Sequence, residues 1–240
     1  MIKITNLSKS YNKGAVKAVD NLNLHVKPGE IFGFLGPNGA GKTTTIKMIV
    51  GLLNADSGSI VIKGFDNREQ PLEAKRNISY VPDNPDVYER LTGLEYLNFM
   101  GDVYKVPMDV RRERIHYFLE MFGLLDAAGD LIKSYSHGMK QKIVLTGALL
   151  HDPALWVLDE PMVGLDPKSA HQLKELMRKH CDKGNTVFFS THVLEVAEKL
   201  CDRLAIINKG KIVAIGTLDE LKQGEQAESL ENIFLELTER

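Results

Sequence analysis

The stretch Gly36-Pro37-Asn38-Gly39-Ala40-Gly41-Lys42-Thr43 constrains this chain more than any other. Its G-x-x-x-x-G-K-T spacing is what a loop needs to turn successive backbone N–H groups inward around phosphate. Glycines at 36, 39 and 41 allow that turn without Cβ collisions. Lys42 supplies a point charge for the β- and γ-phosphates, and Thr43 offers a hydroxyl to a magnesium ion, which prefers hard oxygen ligands. The flanks fit this reading: residues 30–35 form a short apolar run suited to a buried strand, and residues 44–50 continue as a helix. The positive end of that helix adds to the anion site. Strand, glycine loop and helix therefore follow in the order that a phosphate-binding α/β fold requires.

At 240 residues, 43% hydrophobic and 26% charged, the chain has room for one or two domains and a sizeable core. A net charge of −2, with acidic and basic residues mixed along the sequence, gives no electrostatic footprint for nucleic acid. The N-terminus lacks the apolar core of a signal peptide, and no apolar run approaches the ~20 residues of a membrane-spanning helix. A cytosolic location is expected. Cys181 and Cys201 lie far apart with no C-x-x-C pair, so they read as reduced, buried thiols.

Residues 1–6, 19–26 and 59–62 read as strands of an antiparallel layer beside the nucleotide. From Gly93 to about Gly123 the pattern is helical, with Leu94, Leu97, Asn98 and Gly101 on one face and Ile115, Phe118, Leu119 and Phe122 on another. Many of the aromatics cluster between Tyr80 and Phe122, which fits either a small helical core or a recognition surface. A helix after Gly138 runs to the His151-Asp152-Pro153 stop. Next come a strand at 155–158, an amphipathic helix from about Ser169 to Cys181, a strand at 186–189, a hairpin over 204–215 and a polar helical end. Alternating strands and helices in this half imply a parallel sheet.

Residues 155–160, LWVLDE, form an apolar strand ending in two adjacent carboxylates, and such strand ends face the crevice where ligands of open α/β sheets sit. Asp159 is placed to bind magnesium directly or through water. Glu160 is placed as the general base that polarises the attacking water. His192 follows another buried strand and reaches the same edge, where it can hold the γ-phosphate or Glu160.

Together these residues resemble the nucleotide-binding subunit of ATP-binding cassette transporters, over nearly the whole chain. Gly36 to Thr44 match the Walker A motif, with Thr44 included in the nucleotide contacts. Tyr11 sits where that family stacks adenine, and Tyr135-Ser136-His137-Gly138-Met139 looks like its signature motif. Asp159 and Glu160 match the Walker B end, Gly164-Leu165-Asp166 the D-loop and His192 the switch histidine. The resemblance implies a P-loop NTPase core with a mainly parallel sheet. It makes residues 1–240 a single ATP-binding cassette domain, with that core and its antiparallel β layer at 1–82 and 149–220, a helical signature subdomain at 83–148 and a helical tail at 221–240. It also implies an ATPase that uses ATP and Mg2+, with Lys42, Glu160 and His192 at the chemistry. Ser136, Gly138 and Asp166 would serve the nucleotide across a head-to-tail pair, formed with a second copy or a related cassette. The further partner implied is a transmembrane permease that holds the chain at the cytoplasmic face of the cell membrane.

Three positions depart from that pattern. Asp83 follows Val81-Pro82 where the family usually has a glutamine; a carboxylate can still bind a hard cation but cannot donate when ionised. His137 and Met139 replace a glycine and a glutamine of the signature, a form similar to exporter-type cassettes. The aromatics of 84–104 fall where the family receives a coupling helix of the permease. The expected function is the ATPase engine of a membrane transporter, of exporter type. The alternatives are a nucleotide-dependent regulatory cassette with weak hydrolysis and an importer subunit.

Overall fold

The computed structural model describes residues 1–85, 87–225 and 229–239. The first half runs β1 (Ile2–Tyr11), β2 (Val16–Val26), β3 (Ile31–Leu35), α1 (Lys42–Ile49), β4 (Ser57–Ile62), β5 (Phe65–Asp66), α2 (Pro71–Arg76) and β6 (Ile78–Val81). Three helices follow, α3 (Gly93–Val103), α4 (Met108–Met121) and α5 (His137–Leu149). The rest comprises β7 (Leu155–Asp159), α6 (Pro167–Asp182), β8 (Thr186–Thr191), α7 (Leu194–Leu200), β9 (Arg203–Asn208), β10 (Lys211–Gly216), α8 (Leu218–Glu225) and α9 (Leu230–Glu239).

The central sheet has the order β10-β9-β3-β8-β7-β6. Its pairings are parallel except for the β9–β10 hairpin. Every residue of β3, β7 and β8 is buried, as strands covered on both faces must be. Alternation then splits their side chains between two cores. Phe32, Phe34, Val157 and Phe188 face the antiparallel sheet β2-β1-β4-β5 and α1. Ile31, Trp156, Leu158 and Phe189 face the helices, chiefly α5 and α6. Phe32 and Phe188 stack at 5.8 Å across the paired strands. Because β3, β6, β7 and β8 are parallel, their carboxyl ends open onto one crevice, and each expected site residue after those strands is delivered to it.

The helical reading of 93–123 resolves into two helices. Pro107 stands at the N-cap of α4, where a proline cannot continue the preceding ladder. Buried Arg111 closes the hairpin by donating to the Asn98 and Val106 carbonyls and pairing with Asp102 at 2.7 Å. The inner face of α3 also differs from the expected one: Gly93, Tyr96, Leu97 and Gly101 are buried, whereas Leu94 is exposed. Tyr96 takes the inner position because it lies against Gly147 of α5, where there is no side chain to meet it. On α4 and just beyond it, Ile115, Phe118, Leu119 and Phe122 are all buried, as their spacing predicts. Cys181 is buried, Cys201 is only partly so, and both are free thiols. Among the described residues, no helix is long and apolar enough to cross a membrane.

Candidate functional site

At the crevice lies a cleft of about 220 Å³, lined by residues 37–39 and 41–44 of the loop together with Ala18, Asp83, Asp159 and Glu160. The loop conformation depends on glycine at Gly39 (φ +79°) and Gly41 (φ +110°), both left-handed. Gly36 is pressed against the Ile207 carbonyl and Gly41 against the Ala18 carbonyl, so a Cβ at either position would collide with backbone. Ala40 is buried behind the loop and accepts the Gly210 N–H at 2.9 Å, tying the loop to the β9–β10 turn. Lys42 is buried too. Its Nζ donates to Gly36 O (2.6 Å) and Pro37 O (3.3 Å) and lies 4.0 Å from Glu160 Oε1. Burial lowers the Lys42 pKa, while Glu160 and Asp159 act to raise it.

Asp159 ends β7 directly opposite Ser190 on β8. The Ser190 hydroxyl donates to Asp159 Oδ1, whereas Asp159 Oδ2 is buried without a hydrogen-bond partner among the described residues. Burial pushes the Asp159 carboxyl up; the Ser190 and Thr43 hydroxyls oppose this, and the charges of Asp83 and Glu160 add to it. Glu160 has φ +48°, uncommon for a side chain of its kind and a mark of backbone held by its surroundings. Its N–H donates to both the carbonyl and the hydroxyl of Ser190, each at 3.2 Å. Its Oε2 lies 3.0 Å from His192 Nδ1 and 3.4 Å from the His192 N–H that donates to it. Thus Glu160 is flanked by Lys42 and His192 at the edge of the cleft. Asp83 follows β6 on the far side of the cleft and accepts the Asn84 N–H at 2.9 Å.

Besides Gly36 and Ala40 of the loop, four expected nucleotide contacts lie outside this lining. Tyr11 ends β1 and is exposed. Ser136 caps α5, accepting the Met139 N–H at 3.3 Å, and the preceding Tyr135 is buried with its hydroxyl donating to Ala127 O. Gly138 is pressed against the Gly164 carbonyl. Asp166 caps α6 through the Ser169 N–H and pairs with Lys142 of α5 at 2.8 Å. Lys142 and Ser169 hold the Asp166 carboxyl well below the usual carboxylate range. The signature residues and the 164–166 turn therefore form one unit apart from the phosphate cleft of the same chain.

Two residues at the cleft escape the motif reading. Ala18 has no local signal; β2 brings it against Gly41. Ser190 is detectable only by noting that two parallel strands end in the same crevice and must pair at Asp159 and Ser190.

A family model described as ABC transporter matches residues 19–163, and an AAA domain model matches residues 129–198. The linearmycin resistance ATP-binding protein LnrL of Bacillus subtilis is 40% identical over 92% of this chain and 70% of its own length. The daunorubicin/doxorubicin resistance ATP-binding protein DrrA of Streptomyces peucetius is 41% identical over 92% of this chain and 66% of its own. Among solved structures, an ATP-binding subunit of an ABC transporter superposes with a TM-score of 0.94 at 35% identity, covering 99% of both chains. The dimeric post-hydrolysis state of the ATP-binding cassette MJ0796, bound to ADP and Pi, superposes with a TM-score of 0.82 at 26% identity, covering 91% of this chain and 99% of that one. With the phosphate loop, the paired carboxylates and the histidine gathered in one cleft, the chain belongs to the ABC transporter family as an ATP-binding ATPase.

Proposed function

We propose that this chain is the ATP-hydrolysing engine of a membrane exporter. The carrying observation is Glu160, whose carboxylate is held between His192 and Lys42 above the glycine loop. In this reading the loop N–H groups and Lys42 take the β- and γ-phosphates, Lys42 exchanging its two carbonyl partners for phosphate oxygens. Glu160 accepts a proton from the attacking water, and His192 keeps that carboxylate oriented. Tyr11 stacks the base.

The residues present also fit a magnesium ion. Asp159 Oδ2 is a buried carboxylate oxygen in want of a partner, and Thr43 and Asp83 line the same cleft. No three His, Cys, Asp or Glu side chains among the described residues could hold a metal by themselves, which suits a cation that takes one or two carboxylates and completes its shell with phosphates and water. Bound there, it would neutralise charge developing on the transferred phosphoryl group.

Two supports favour a pair of cassettes. Ser136 and Gly138 stand at a helix N-terminus away from their own cleft, poised for phosphate on another copy, and the MJ0796 cassette is dimeric after hydrolysis. Residues 1–82 and 149–220 then act as the core, 83–148 as the helical signature subdomain and 221–240 as a tail. The exposed Tyr88 and Phe99, in edge-to-face contact at 5.6 Å, mark the face for a permease helix, which would keep the chain at the cytoplasmic side of the membrane. Export is supported by the resistance roles of LnrL and DrrA.

Glu160→Gln should lower ATP turnover by about 10²- to 10⁴-fold with nucleotide binding intact. Undiminished phosphate release in that variant would remove Glu160 as the base. A second reading, a regulatory cassette with weak hydrolysis, draws on Asp83, which places a further carboxylate beside Asp159 and Glu160. It would be favoured by a wild-type rate, measured with the permease present, no better than that of Glu160→Gln.

A further inference from the structure

Ser190 has no part in the phosphate-loop, signature or histidine motifs, yet it bonds both neighbours at the end of β7: Asp159 through its carboxylate and Glu160 through its backbone N–H. It is fully buried on β8. Its hydroxyl proton goes to Asp159 Oδ1, and the same oxygen accepts the Glu160 N–H at 3.2 Å. The Ser190 carbonyl accepts that N–H as well, also at 3.2 Å. A hydroxyl has one proton and two lone pairs, so donating to Asp159 orients the lone pairs toward Glu160. With Oδ1 engaged, the Asp159 carboxylate cannot rotate freely, and Oδ2 is the oxygen left without a partner.

We propose that Ser190 is a positioning residue for hydrolysis: it locks the Asp159 carboxylate with Oδ2 free for the metal ion and steadies the left-handed turn that carries Glu160. This deepens the reading in which Asp159 holds the metal and Glu160 is the base, and it rests on that reading. Removing the hydroxyl leaves Glu160 N–H its bond to the Ser190 carbonyl, so the larger effect falls on Asp159. Loss of a hydrogen bond behind a metal-binding carboxylate weakens metal affinity or activity by about 10- to 100-fold.

The test compares wild type with Ser190→Ala, Ser190→Thr and Glu160→Gln, each shown to be folded by its melting curve. Mn2+ retention in the presence of ADP is followed by electron paramagnetic resonance, metal-free ADP binding by calorimetry, and hydrolysis as kcat and KM. Ser190→Ala should lose about 10- to 100-fold in Mn2+ affinity. Its kcat should fall and its KM for the metal–nucleotide complex should rise, with metal-free ADP affinity changed little. Ser190→Thr, which keeps an oxygen at the same place, should recover Mn2+ retention. Wild-type Mn2+ affinity and kcat in Ser190→Ala, beside a Glu160→Gln variant that has lost turnover, would overturn the positioning role and leave the base assignment standing. If Glu160→Gln also turns over normally, the base assignment falls as well. An equal loss of metal-free ADP affinity in Ser190→Ala would show general damage to the cleft and likewise overturn the proposal.

Discussion

Gly41 shows how narrow the tolerance is at a single position. Its φ of +110° lies where L side chains are strained, and the Ala18 carbonyl occupies the space a Cβ would need. Gly41→Ala should therefore cost about 2 kcal/mol or more through strain and overpacking combined. It should also open the loop, so that titration with a fluorescent nucleotide shows binding largely lost; wild-type affinity in that variant would mean the loop can reshape around a methyl group. At this scale the glycine loop, Lys42, Asp159 and Glu160 were legible, because each belongs to a run of neighbours whose spacing carries the chemistry. Ser190 was not, since its link to Asp159 spans 31 positions of sequence and exists only once two strands align.

Among the elements, the end of α5 is fastened to the rest of the fold by His151. Its ring stacks on Tyr104 at 3.6 Å, just beyond α3, and its Nε2 lies 3.3 Å from the Ile78 carbonyl of β6. Burial pushes the His151 pKa down to about 4, with the Ile78 carbonyl and Asp152 opposing the shift. The folded pKa is thus below the unfolded value of about 6.5. The neutral ring supports the fold fully above that value, and the support is lost as the pH falls toward 4. From pH 7 to pH 5 the loss should be about 2 kcal/mol. Burial of His180 beside Trp156 lowers its pKa also and adds a slope of the same sign. His151→Phe keeps the stack and should flatten part of this acid limb in urea denaturation curves at pH 7 and 5; an unchanged slope would show that His151 does not titrate with unfolding. The sequence pattern gave the amphipathic α4 and α6 and the buried β7 and β8. It did not give β6, a four-residue strand whose Ile78-Ser79-Tyr80-Val81 pattern is too short to read, although β6 is what delivers Asp83 to the cleft. Nor did it give the break before α4, which Pro107 signals but Arg111 enforces.

At the scale of the molecule, the separation of the signature unit from the phosphate cleft has a direct consequence. If nucleotide sites form between two chains, Lys42→Ala and Ser136→Glu should each abolish hydrolysis alone, one by losing phosphate charge and the other by repelling it. Mixing the two variants should restore activity, because a mixed dimer keeps one intact loop facing one intact signature. No recovery in the mixture would place both functions within a single chain. The phosphate loop, the order of motifs and the α/β class were determined by sequence alone, because local spacing sets backbone geometry and hydrophobic periodicity sets burial. Tertiary structure decided the rest. Parallel pairing of β3, β8, β7 and β6 set Thr43, Asp159, Glu160, His192 and Asp83 around one crevice. Packing of Gly138 against Gly164 joined residues 136–138 to the 164–166 turn, outside the cleft lining. Such juxtapositions arise from pairings between distant segments, whose register is fixed by two-sided burial and not by any neighbour along the chain.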